Sequence, residues 1–341
     1  MSNPMNMPYR PLGTSGVSVS ILCLGTMTFG DSTDAKTANE MVAHAFDAGV
    51  NFIDTADPYA GGASEPIVGA AVRARRDRWI VATKVGNVLP FLDKAPHTGG
   101  LSRRWVIRAC DLSLARLGLD YVDIYYLHKD DPSTPIAETV GAIGDLMRAG
   151  KIRYFGLSNY RGWRIAEVMR CCEKLGVPPP VVSQPYYNLL NRTPEVEILP
   201  ACDHYGLGVV PYSPIARGVL TGKYAQGEVP ADSRGARKDK RFMETEFRAE
   251  SFAIAQKLKE HAQRTGRTPI QFALAWLWAN RIVNSVIAGP RTFDQWAQYV
   301  KAIGTSWSSE DEALVDSLVT PGHTSTPGYN DPAYPFFGRR I

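Results

Sequence analysis

Four polar residues of different chemistry stand just after short apolar runs, and they are Asp54, Tyr59, Lys84 and His128. The runs are Asn51–Ile53, Trp79–Ala82 and Ile124–Leu127. In α/β proteins the carboxyl ends of parallel strands meet at one edge of the sheet, where active sites are built. A carboxylate, a phenol, an ammonium and an imidazole that meet there can protonate or deprotonate a carbonyl or an alcohol.

A tyrosine is a weak acid with an ordinary pKa near 10, so a catalytic role needs a group that favours the phenolate. The ammonium of Lys84 would do so for Tyr59, and Asp54 would keep that lysine charged and oriented. His128 would donate a hydrogen bond that aligns a substrate carbonyl. Taken singly, Asp54 could instead cap a helix and Lys84 could be a solvated loop residue. The combination is what predicts a site.

Amides, hydroxyls and an aromatic ring follow the later apolar runs. Ser158 and Asn159 come after one run, Gln184 after the next, and Tyr212 after a third. Amide and hydroxyl groups suit a carboxamide and an aromatic face suits a flat heterocycle, and together these describe a nicotinamide ring. The alternative is that Asn159 and Gln184 satisfy backbone groups of their loops.

These residues belong to a chain that alternates short apolar runs with amphipathic stretches, a pattern typical of βα units. Eight strands are predicted, at 21–25, 50–53, 79–83, 122–127, 153–157, 180–184, 208–212 and 283–287. Eight units in about 300 residues favour an α/β fold in which a single (β/α)8 TIM barrel forms one domain over residues 1–341. An open, doubly wound sheet is the alternative, but no Gly-x-Gly-x-x-Gly follows any strand.

Several features lie outside this rhythm. A β-hairpin is predicted over 9–20, ahead of the barrel, and a helix over 102–118 is capped by Ser102. Long irregular loops at 85–101, 213–250 and 320–341 would rim the carboxyl-terminal face. The basic residues at 234–241 could be a solvated loop or a phosphate clamp. The aromatic C-terminal tail at 320–341 would pack either over the mouth or on a neighbouring subunit.

The composition excludes several classes of protein. The 341 residues have 44% hydrophobic and 21% charged content with a net charge of +4, so neither nucleic acid nor a membrane is an expected partner. Five cysteines without a C-x-x-C predict no disulfide framework and no metal site, and they fit a cytoplasmic protein. The first residues lack the basic and apolar regions of a secretion signal.

The chain resembles the aldo-keto reductases over essentially its whole length. The motifs that carry the resemblance are Phe52–Tyr59 followed by Gly62, Ser64 and Glu65, then Gly156–Asn159, Pro211–Pro214 and Leu220–Tyr224. The resemblance implies a barrel that binds NADP(H) across its carboxyl-terminal face and uses no metal. It also implies that Tyr59 is the general acid/base, that Lys84 and Asp54 tune it, and that His128 orients the carbonyl.

By the same resemblance a further set of residues would bind the cofactor. These are Gly25, Thr26, Met27, Asp54, Ser158, Asn159, Gln184, Tyr212, Ser213, Pro214, Ile215, Arg217, Lys223, Gly289, Arg291, Gln295 and Gln298. Arg291 would pair with a 2′-phosphate, which favours NADPH. Tyr299 departs from the family, because many relatives carry an asparagine there that contacts adenine.

The resemblance therefore implies an NADPH-dependent carbonyl reductase, or alcohol dehydrogenase in reverse, acting on a small-molecule ketone or aldehyde. The aromatic content of the loops favours a bulky or cyclic substrate. The chain is also similar to bacterial reductases of 3-keto trichothecene mycotoxins such as 3-keto-deoxynivalenol. Two alternatives are a cofactor-binding regulatory subunit, whose known examples replace the histidine, and a metal-dependent hydrolase, which needs a second strand-end histidine. The oligomeric state is left open.

Overall fold

The computed structural model describes residues 7–89, 91–92, 98–224, 229–231 and 233–335. The chain divides into two compact units, each made of three segments. The first consists of Met1–Pro185, Glu197–Tyr212 and Arg281–Val300, and the second of Tyr186–Val196, Ser213–Asn280 and Lys301–Ile341. The assignment of the whole chain to one domain stays a prediction.

All strands of the described residues belong to the first unit. β1 (Tyr9–Pro11) and β2 (Ser18–Ser20) form the antiparallel hairpin that was predicted. The parallel sheet contains β3 (Leu22–Gly25), β4 (Phe52–Asp54), β5 (Ile80–Val85), β6 (Val122–Leu127), β7 (Ile152–Ser158), β8 (Val182–Gln184), β9 (Gly208–Val209) and β10 (Val286–Ala288). Neighbours follow the chain order, with β10 beside β3.

The sheet closes on itself between its last two members along the chain. The N–H of Asn284 donates to the carbonyl of Val209 at 2.9 Å, and the N–H of Ile287 donates to that of Pro211 at 3.0 Å. The predicted (β/α)8 barrel is thereby confirmed, and the open sheet is excluded. The interior is packed by apolar side chains such as Phe52, Ile124 and Val182.

The hairpin covers the amino-terminal end of the barrel. Its side chains Leu12 and Val19 belong to the core, and the carbonyl of Gly206, just before β9, accepts a 2.9 Å hydrogen bond from the N–H of Thr14. Gly13 has a φ of +58°, and a Cβ there would lie 2.3 Å from the same carbonyl oxygen. Only glycine fits this turn. The carboxyl-terminal end is left for the site.

The helices of the first unit follow the strands in the expected alternation. They are α1 (Ala35–Asp47), α2 (Ser64–Val72), α3 (Arg103–Leu117), α4 (Ile136–Arg148), α5 (Gly162–Leu175), α6 (Ile198–Tyr205) and, after the second unit's helices, α10 (Phe293–Val300). The bounds of α3 confirm the helix predicted at 102–118. The Ser102 hydroxyl accepts from the N–H of Trp105, and Gly118 ends the helix at a φ of +60°.

The second unit is helical in the part that the structure describes. It contains α7 (Lys240–Thr245), α8 (Ala249–Arg264), α9 (Pro269–Ala279) and α11 (Ser309–Leu318). The prediction of an irregular stretch over 213–250 is therefore wrong in part, because Asp239 caps a short helix there. No helix among the described residues is long and apolar enough to cross a membrane.

The aromatic tail packs within the second unit as far as residue 335. The hydroxyl of Tyr329 donates to the carbonyl of Glu244 at 3.0 Å, and the guanidinium of Arg248 lies 3.9 Å from the centre of the Tyr329 ring. Arg241 donates two hydrogen bonds to Asp331, at 3.0 and 2.6 Å. The tail thus contacts α7 and α8, and residues 336–341 lie outside the described residues.

Candidate active site

The predicted catalytic residues come from three neighbouring strands of the first unit. Asp54 is the last residue of β4, Lys84 lies next to the end of β5, and His128 directly follows β6. Tyr59 begins a 3₁₀ turn, Tyr59–Gly62, that follows β4. Because these strands are parallel and adjacent, the four side chains converge at the carboxyl-terminal end of the barrel.

The ammonium of Lys84 is fully buried and donates three hydrogen bonds, which is all that it can make. Its partners are a carboxyl oxygen of Asp54, the carbonyl oxygen of Thr55 at 2.7 Å and the hydroxyl of Tyr59 at 3.2 Å. The second oxygen of Asp54 accepts from the amide nitrogen of Gln184 at 2.9 Å. Each group in this network therefore fixes the position of the next.

The charge pair determines the protonation of this network. Burial by itself would lower the pKa of Lys84, but the neighbouring Asp54 and Tyr59 outweigh it and raise that pKa above its ordinary value. Lys84 is thus a stable cation 3.2 Å from a phenol oxygen. A positive charge at that distance stabilises the negative charge that forms on the Tyr59 oxygen when its proton leaves. The arrangement can keep a proton on the Tyr59 hydroxyl and can also ease the transfer of that proton to a substrate.

The turn that carries Tyr59 is strained. Ala60 has a φ of 50°, in the left-handed region that side chains other than glycine rarely adopt, and Gly61 and Gly62 follow with positive φ values. Strain of this kind clusters at functional sites. Ser64, at the start of the helix that follows, anchors the turn, because its hydroxyl lies 2.9 Å from the hydroxyl groups of both Thr26 and Thr55.

His128 is held by its backbone and by its ring. Its N–H donates to the carbonyl of Val85 at 2.8 Å, and its own carbonyl accepts from the amide of Asn159 at 2.9 Å. The Nδ1 atom lies 2.9 Å from the amide nitrogen of Asn87. The ring stands edge-on to that of Tyr59, with the centroids 5.9 Å apart. Burial, followed by the charges of Lys84 and Lys129, lowers the pKa of His128 well below its usual value, so the imidazole is neutral at pH 7.

The residues predicted to face a nicotinamide are linked to one another in the first unit. The hydroxyl of Tyr212 donates to the amide oxygen of Asn159 at 2.8 Å, and the amide nitrogen of Asn159 also lies 3.1 Å from the Ser158 hydroxyl. Ser158 donates to the carbonyl of Gln184 at 2.9 Å. Asn159 has a left-handed φ of 58°. The structure therefore brings these four together at the ends of β7, β8 and β9.

Other predicted cofactor residues of the first unit form a second group, around the ends of β3 and β10. Gly25 ends β3, Thr26 is buried against Asp54, and Met27 is 39% exposed. The loop that contains Gly289 and Arg291 is tied to the segment after β3, because Thr28 and Thr33 donate to the carbonyls of Pro290 and Arg291 at 2.8 Å. Gln295 and Gln298 lie on α10, and Gln295 accepts from the N–H of Arg291 at 2.8 Å. Tyr299 is buried.

The remaining predicted residues, Ser213, Pro214, Ile215, Arg217 and Lys223, lie in the second unit. Their loop is strained, with φ values of 57°, 47° and 49° at Ser213, Ala216 and Arg217. The Nε of Arg217 is buried with no hydrogen-bond partner among the residues that the structure describes, and it lies 3.8 Å from a carboxyl oxygen of Glu246. An under-satisfied guanidinium in a strained loop fits an anionic group such as a phosphate.

The basic residues at 234–241 are largely engaged with carboxylates. Arg234 donates to Asp239 at 2.9 Å, and Arg241 contacts both Glu244 and Asp331. These pairs stabilise the segment around α7. They favour a structural role over the phosphate clamp that was the other interpretation of these residues.

A metal site has little support in the described part of the chain. No group of three or more His, Cys, Asp or Glu side chains there could hold a metal ion. His44, His204 and His261 lie within helices, and His323 follows α11. His97 lies outside the described residues.

Sequence reasoning missed Asn87 and Asp57. Asn87 contacts His128 only because β5 and β6 are paired in a register that brings the residues beyond their ends side by side. Asp57 is fully buried, and neither of its carboxyl oxygens has a hydrogen-bond partner among the described residues. The sequence signal for Asn87 was its position as a polar residue just beyond a strand. That signal points to His128 only once the register of β5 and β6 is known.

Comparison with known proteins agrees with this geometry. A family model described as Aldo/keto reductase family matches residues 21–320. The chain is 39% identical over 303 residues to a probable voltage-gated potassium channel subunit beta of Oryza sativa subsp. japonica, which covers 87% of this chain and 91% of the relative.

Two bacterial relatives are similar over nearly their full length. An uncharacterized oxidoreductase YrpG of Bacillus subtilis (strain 168) is 35% identical over 329 residues, 94% of this chain and 98% of the relative. An L-glyceraldehyde 3-phosphate reductase of Escherichia coli O157:H7 is 33% identical over 332 residues, 93% of each chain. With the barrel and the polar network at its carboxyl-terminal end, these matches show that the chain belongs to the aldo/keto reductase family and is an oxidoreductase.

Proposed function

We propose that the protein is an NADPH-dependent carbonyl reductase in which Tyr59 donates the proton and Lys84, Asp54 and His128 support it. The observation that carries the proposal is the buried Lys84 ammonium, shared between Asp54 and the hydroxyl of Tyr59 at 3.2 Å. When bound, the nicotinamide supplies a hydride to the carbonyl carbon. The carbonyl oxygen then needs a proton.

The side chains divide the work at that oxygen. Tyr59 gives its hydroxyl proton to the oxygen as negative charge develops there, and Lys84 stabilises the phenolate that remains. Asp54 keeps Lys84 charged and fixed in place. His128, as a neutral imidazole, donates a hydrogen bond that orients the carbonyl. In the reverse direction Tyr59 takes the proton from an alcohol.

The cofactor is proposed to be NADP(H). The chemistry of Ser158, Asn159, Gln184 and Tyr212 suits the nicotinamide end, and the resemblance adds Gly25, Thr26 and Met27 to that end. Gly289, Arg291, Gln295 and Gln298 suit the adenosine end, and Arg291 suits the 2′-phosphate. In the second unit, the strained loop of Ser213, Pro214, Ile215, Arg217 and Lys223 suits the pyrophosphate. These assignments are supported by residue chemistry and by the family.

The substrate proposed is a bulky or cyclic carbonyl compound, among which a 3-keto trichothecene is one candidate. Two exposed apolar side chains in segments that carry site residues support this, since Met27 follows Thr26 and is 39% exposed, and Val88 follows Asn87 and is 59% exposed. The Escherichia coli relative carries the name of L-glyceraldehyde 3-phosphate, which is small and anionic. Rates of NADPH oxidation will be compared for cyclic ketones, 3-keto trichothecenes, simple aldehydes and L-glyceraldehyde 3-phosphate. The fastest substrate will show which of these classes of carbonyl compound the protein prefers.

The decisive variant is Tyr59→Phe, which removes one hydroxyl. We expect turnover to fall by about 10²-fold or more, because the proton donor is gone, while the dissociation constant of NADPH stays the same. Tyr9→Phe is the matched control, since Tyr9 is 46% exposed on the hairpin at the other end of the barrel. Unchanged turnover in Tyr59→Phe would refute the assignment of the proton donor.

The alternative proposal is a cofactor-binding regulatory subunit, suggested by the name of the rice relative. The presence of His128 beside Tyr59 favours turnover instead. Tight NADPH binding without reduction of any carbonyl in the panel would favour the regulatory subunit.

The proposed location is the cytoplasm. The five cysteines are free and buried, which supports a place in the reducing cytoplasm.

A further inference from the structure

Asn87 is the residue beyond β5 whose side chain reaches the imidazole of His128. Its amide nitrogen lies 2.9 Å from Nδ1, and its side chain is partly buried. The backbone of His128 is already fixed by hydrogen bonds with Val85 and Asn159. These backbone bonds leave the ring free to rotate about its own torsions, so the contact at Nδ1 is what orients the imidazole and bears on where it carries its proton.

The chemistry of the contact decides where that proton lies. Asn87 presents its amide nitrogen to the ring, and an amide nitrogen is only a donor. In this orientation Nδ1 accepts, and a neutral imidazole then carries its single proton on Nε2. The charged and titratable groups around the ring are Lys84, Lys129 and Tyr59, and both lysines disfavour a second proton. The Nε2–H group of His128 is then the hydrogen-bond donor that the ring can offer to a ligand.

We propose that Asn87 is a positioning residue that holds His128 in the tautomer with its proton on Nε2, so that the ring donates a hydrogen bond to the substrate's carbonyl oxygen. The assignment of this hydrogen bond to a substrate carbonyl rests on the proposed function, whereas the assignment of the tautomer is independent of it. In the other tautomer a lone pair on Nε2 would face the lone pairs of the oxygen and repel it. Asn87 would thus set specificity for a hydrogen-bond acceptor at this point.

The variant Asn87→Asp tests the assignment with almost no change in shape. Its carboxylate can only accept, so it draws a proton onto Nδ1 and leaves either the opposite tautomer or an imidazolium. Asn39→Asp makes the same change in charge on the exposed face of α1 and serves as the control. Asn87→Ala removes the donor without adding a charge.

The tautomer is read from the ring ¹⁵N shifts of the full-length, [¹⁵N]histidine-labelled protein without cofactor, and His128→Asn identifies the signals. We expect Nδ1 unprotonated and Nε2 protonated at pH 7 in the parent protein and in Asn39→Asp. In Asn87→Asp we expect a protonated Nδ1, and in Asn87→Ala a mixture of tautomers. A protonated Nδ1 in the parent protein, or an unchanged spectrum in Asn87→Asp, would overturn the proposal.

A kinetic arm separates this proposal from the proposed function. If the ¹⁵N shifts of Asn87→Asp show the opposite tautomer, kcat/KM for the carbonyl substrate should fall roughly 10- to 100-fold with the NADPH dissociation constant unchanged. If they show an imidazolium, Nε2 keeps its proton and kcat/KM should stay near that of the parent protein. Full kcat/KM in a variant with the shifted tautomer would also refute it. If Tyr59→Phe retains turnover while the spectra are as expected, the proton-donor assignment fails and the tautomer assignment stands. A circular dichroism melting curve for each variant confirms that it is folded.

Discussion

At the scale of single residues, the Asp54–Lys84 pair is costly to bury and is stable only because both partners are present. Lys84 is fully buried and Asp54 is 2% exposed. Removing one charge of a buried pair leaves the other unpaired, which typically costs about 3–5 kcal/mol. The pair therefore contributes to the fold as well as to the site, and the two contributions can be separated.

We expect Lys84→Met to lower the free energy of unfolding by about 3–5 kcal/mol, because Asp54 is left as an unpaired buried carboxylate. The double variant Lys84→Met/Asp54→Asn should regain most of this loss, since no charge remains. Neither variant should reduce a carbonyl. Urea unfolding curves measure the first effect, and NADPH oxidation measures the second. A double variant no more stable than Lys84→Met would contradict the explanation by charge.

Asp57 is a buried acid whose effect on stability depends on pH. Burial, and then the neighbouring Glu65, raise its pKa well above the ordinary value, and Arg116 and Lys84 offset only part of this. The native protein therefore keeps Asp57 protonated at a pH where the unfolded chain has released the proton. Folding stability must then fall as the pH rises from about 4 toward the native pKa.

We expect Asp57→Asn to remove this part of the pH dependence and to be at least as stable as the parent protein at pH 7. The free energy of unfolding from urea curves at pH 4 to 8 provides the measurement. Asp34→Asn is a control whose profile should stay nearly parallel to that of the parent protein over this range, because the N–H of Thr37 lowers the pKa of Asp34 and its contribution is lost mainly below about pH 4. A steeper slope or a loss of stability at pH 7 in Asp57→Asn would count against a neutral Asp57.

At the scale of elements, the loop between β10 and α10 is anchored but leaves open space. Thr28 and Thr33 hold the carbonyls of Pro290 and Arg291. Gly289 is exposed, and a Cβ built on it would meet no atom within 4 Å. The fold itself thus does not require glycine there. A ligand that approaches the backbone closely would require it.

We expect Gly289→Val to weaken NADPH and NADH alike by about tenfold or more, and Arg291→Met to weaken NADPH only, by about 1.5–3 kcal/mol for a lost charged hydrogen bond. Dissociation constants from fluorescence titration are the measurement. Gly16→Val is the matched control, because Gly16 has equally open surroundings in the hairpin turn. Equal loss of both cofactors in Arg291→Met would argue against a 2′-phosphate contact.

At the scale of the whole molecule, the two units are interleaved along the chain. The boundaries at 185/186, 196/197, 212/213, 280/281 and 300/301 mean that neither unit is one continuous segment. The assignment of the chain to a single domain stays a prediction, and the interleaving bears on it because neither unit can be completed without chain that passes through the other. Independent folding of a fragment is therefore not expected.

We expect urea to unfold the full chain in a single transition that is the same by far-UV circular dichroism and by tryptophan fluorescence. Both units carry tryptophans, with Trp105 and Trp296 in the first and Trp276 and Trp278 in the second, so fluorescence reports on both. Saturating NADPH should move the transition to higher urea, because a ligand of the native state stabilises it. Two separate transitions would show that the units unfold independently.

The sequence by itself was sufficient for the barrel, the hairpin and the identity of the residues at the strand ends. Apolar runs and helix caps such as Ser102 and Gly118 are local signals, and parallel strands in order bring their carboxyl ends together whatever the details. Their positions after apolar runs singled out Asp54, Tyr59, Lys84 and His128, and the resemblance to a family then implied a role for each. Their roles stay predictions until the variants are measured.

Only the tertiary structure decided which atoms touch. Strand register and burial determine that Lys84 uses all three of its donors and that Asn87 contacts Nδ1 of His128. They also determine that the buried carboxyl of Asp57 has no hydrogen-bond partner among the described residues. The division of the chain into two units and the packing of Tyr329 on α7 and α8 depend on contacts between residues distant in the chain. Local sequence cannot determine these features, because hydrogen bonds and pKa values are set by neighbours that the fold alone brings within a few ångströms.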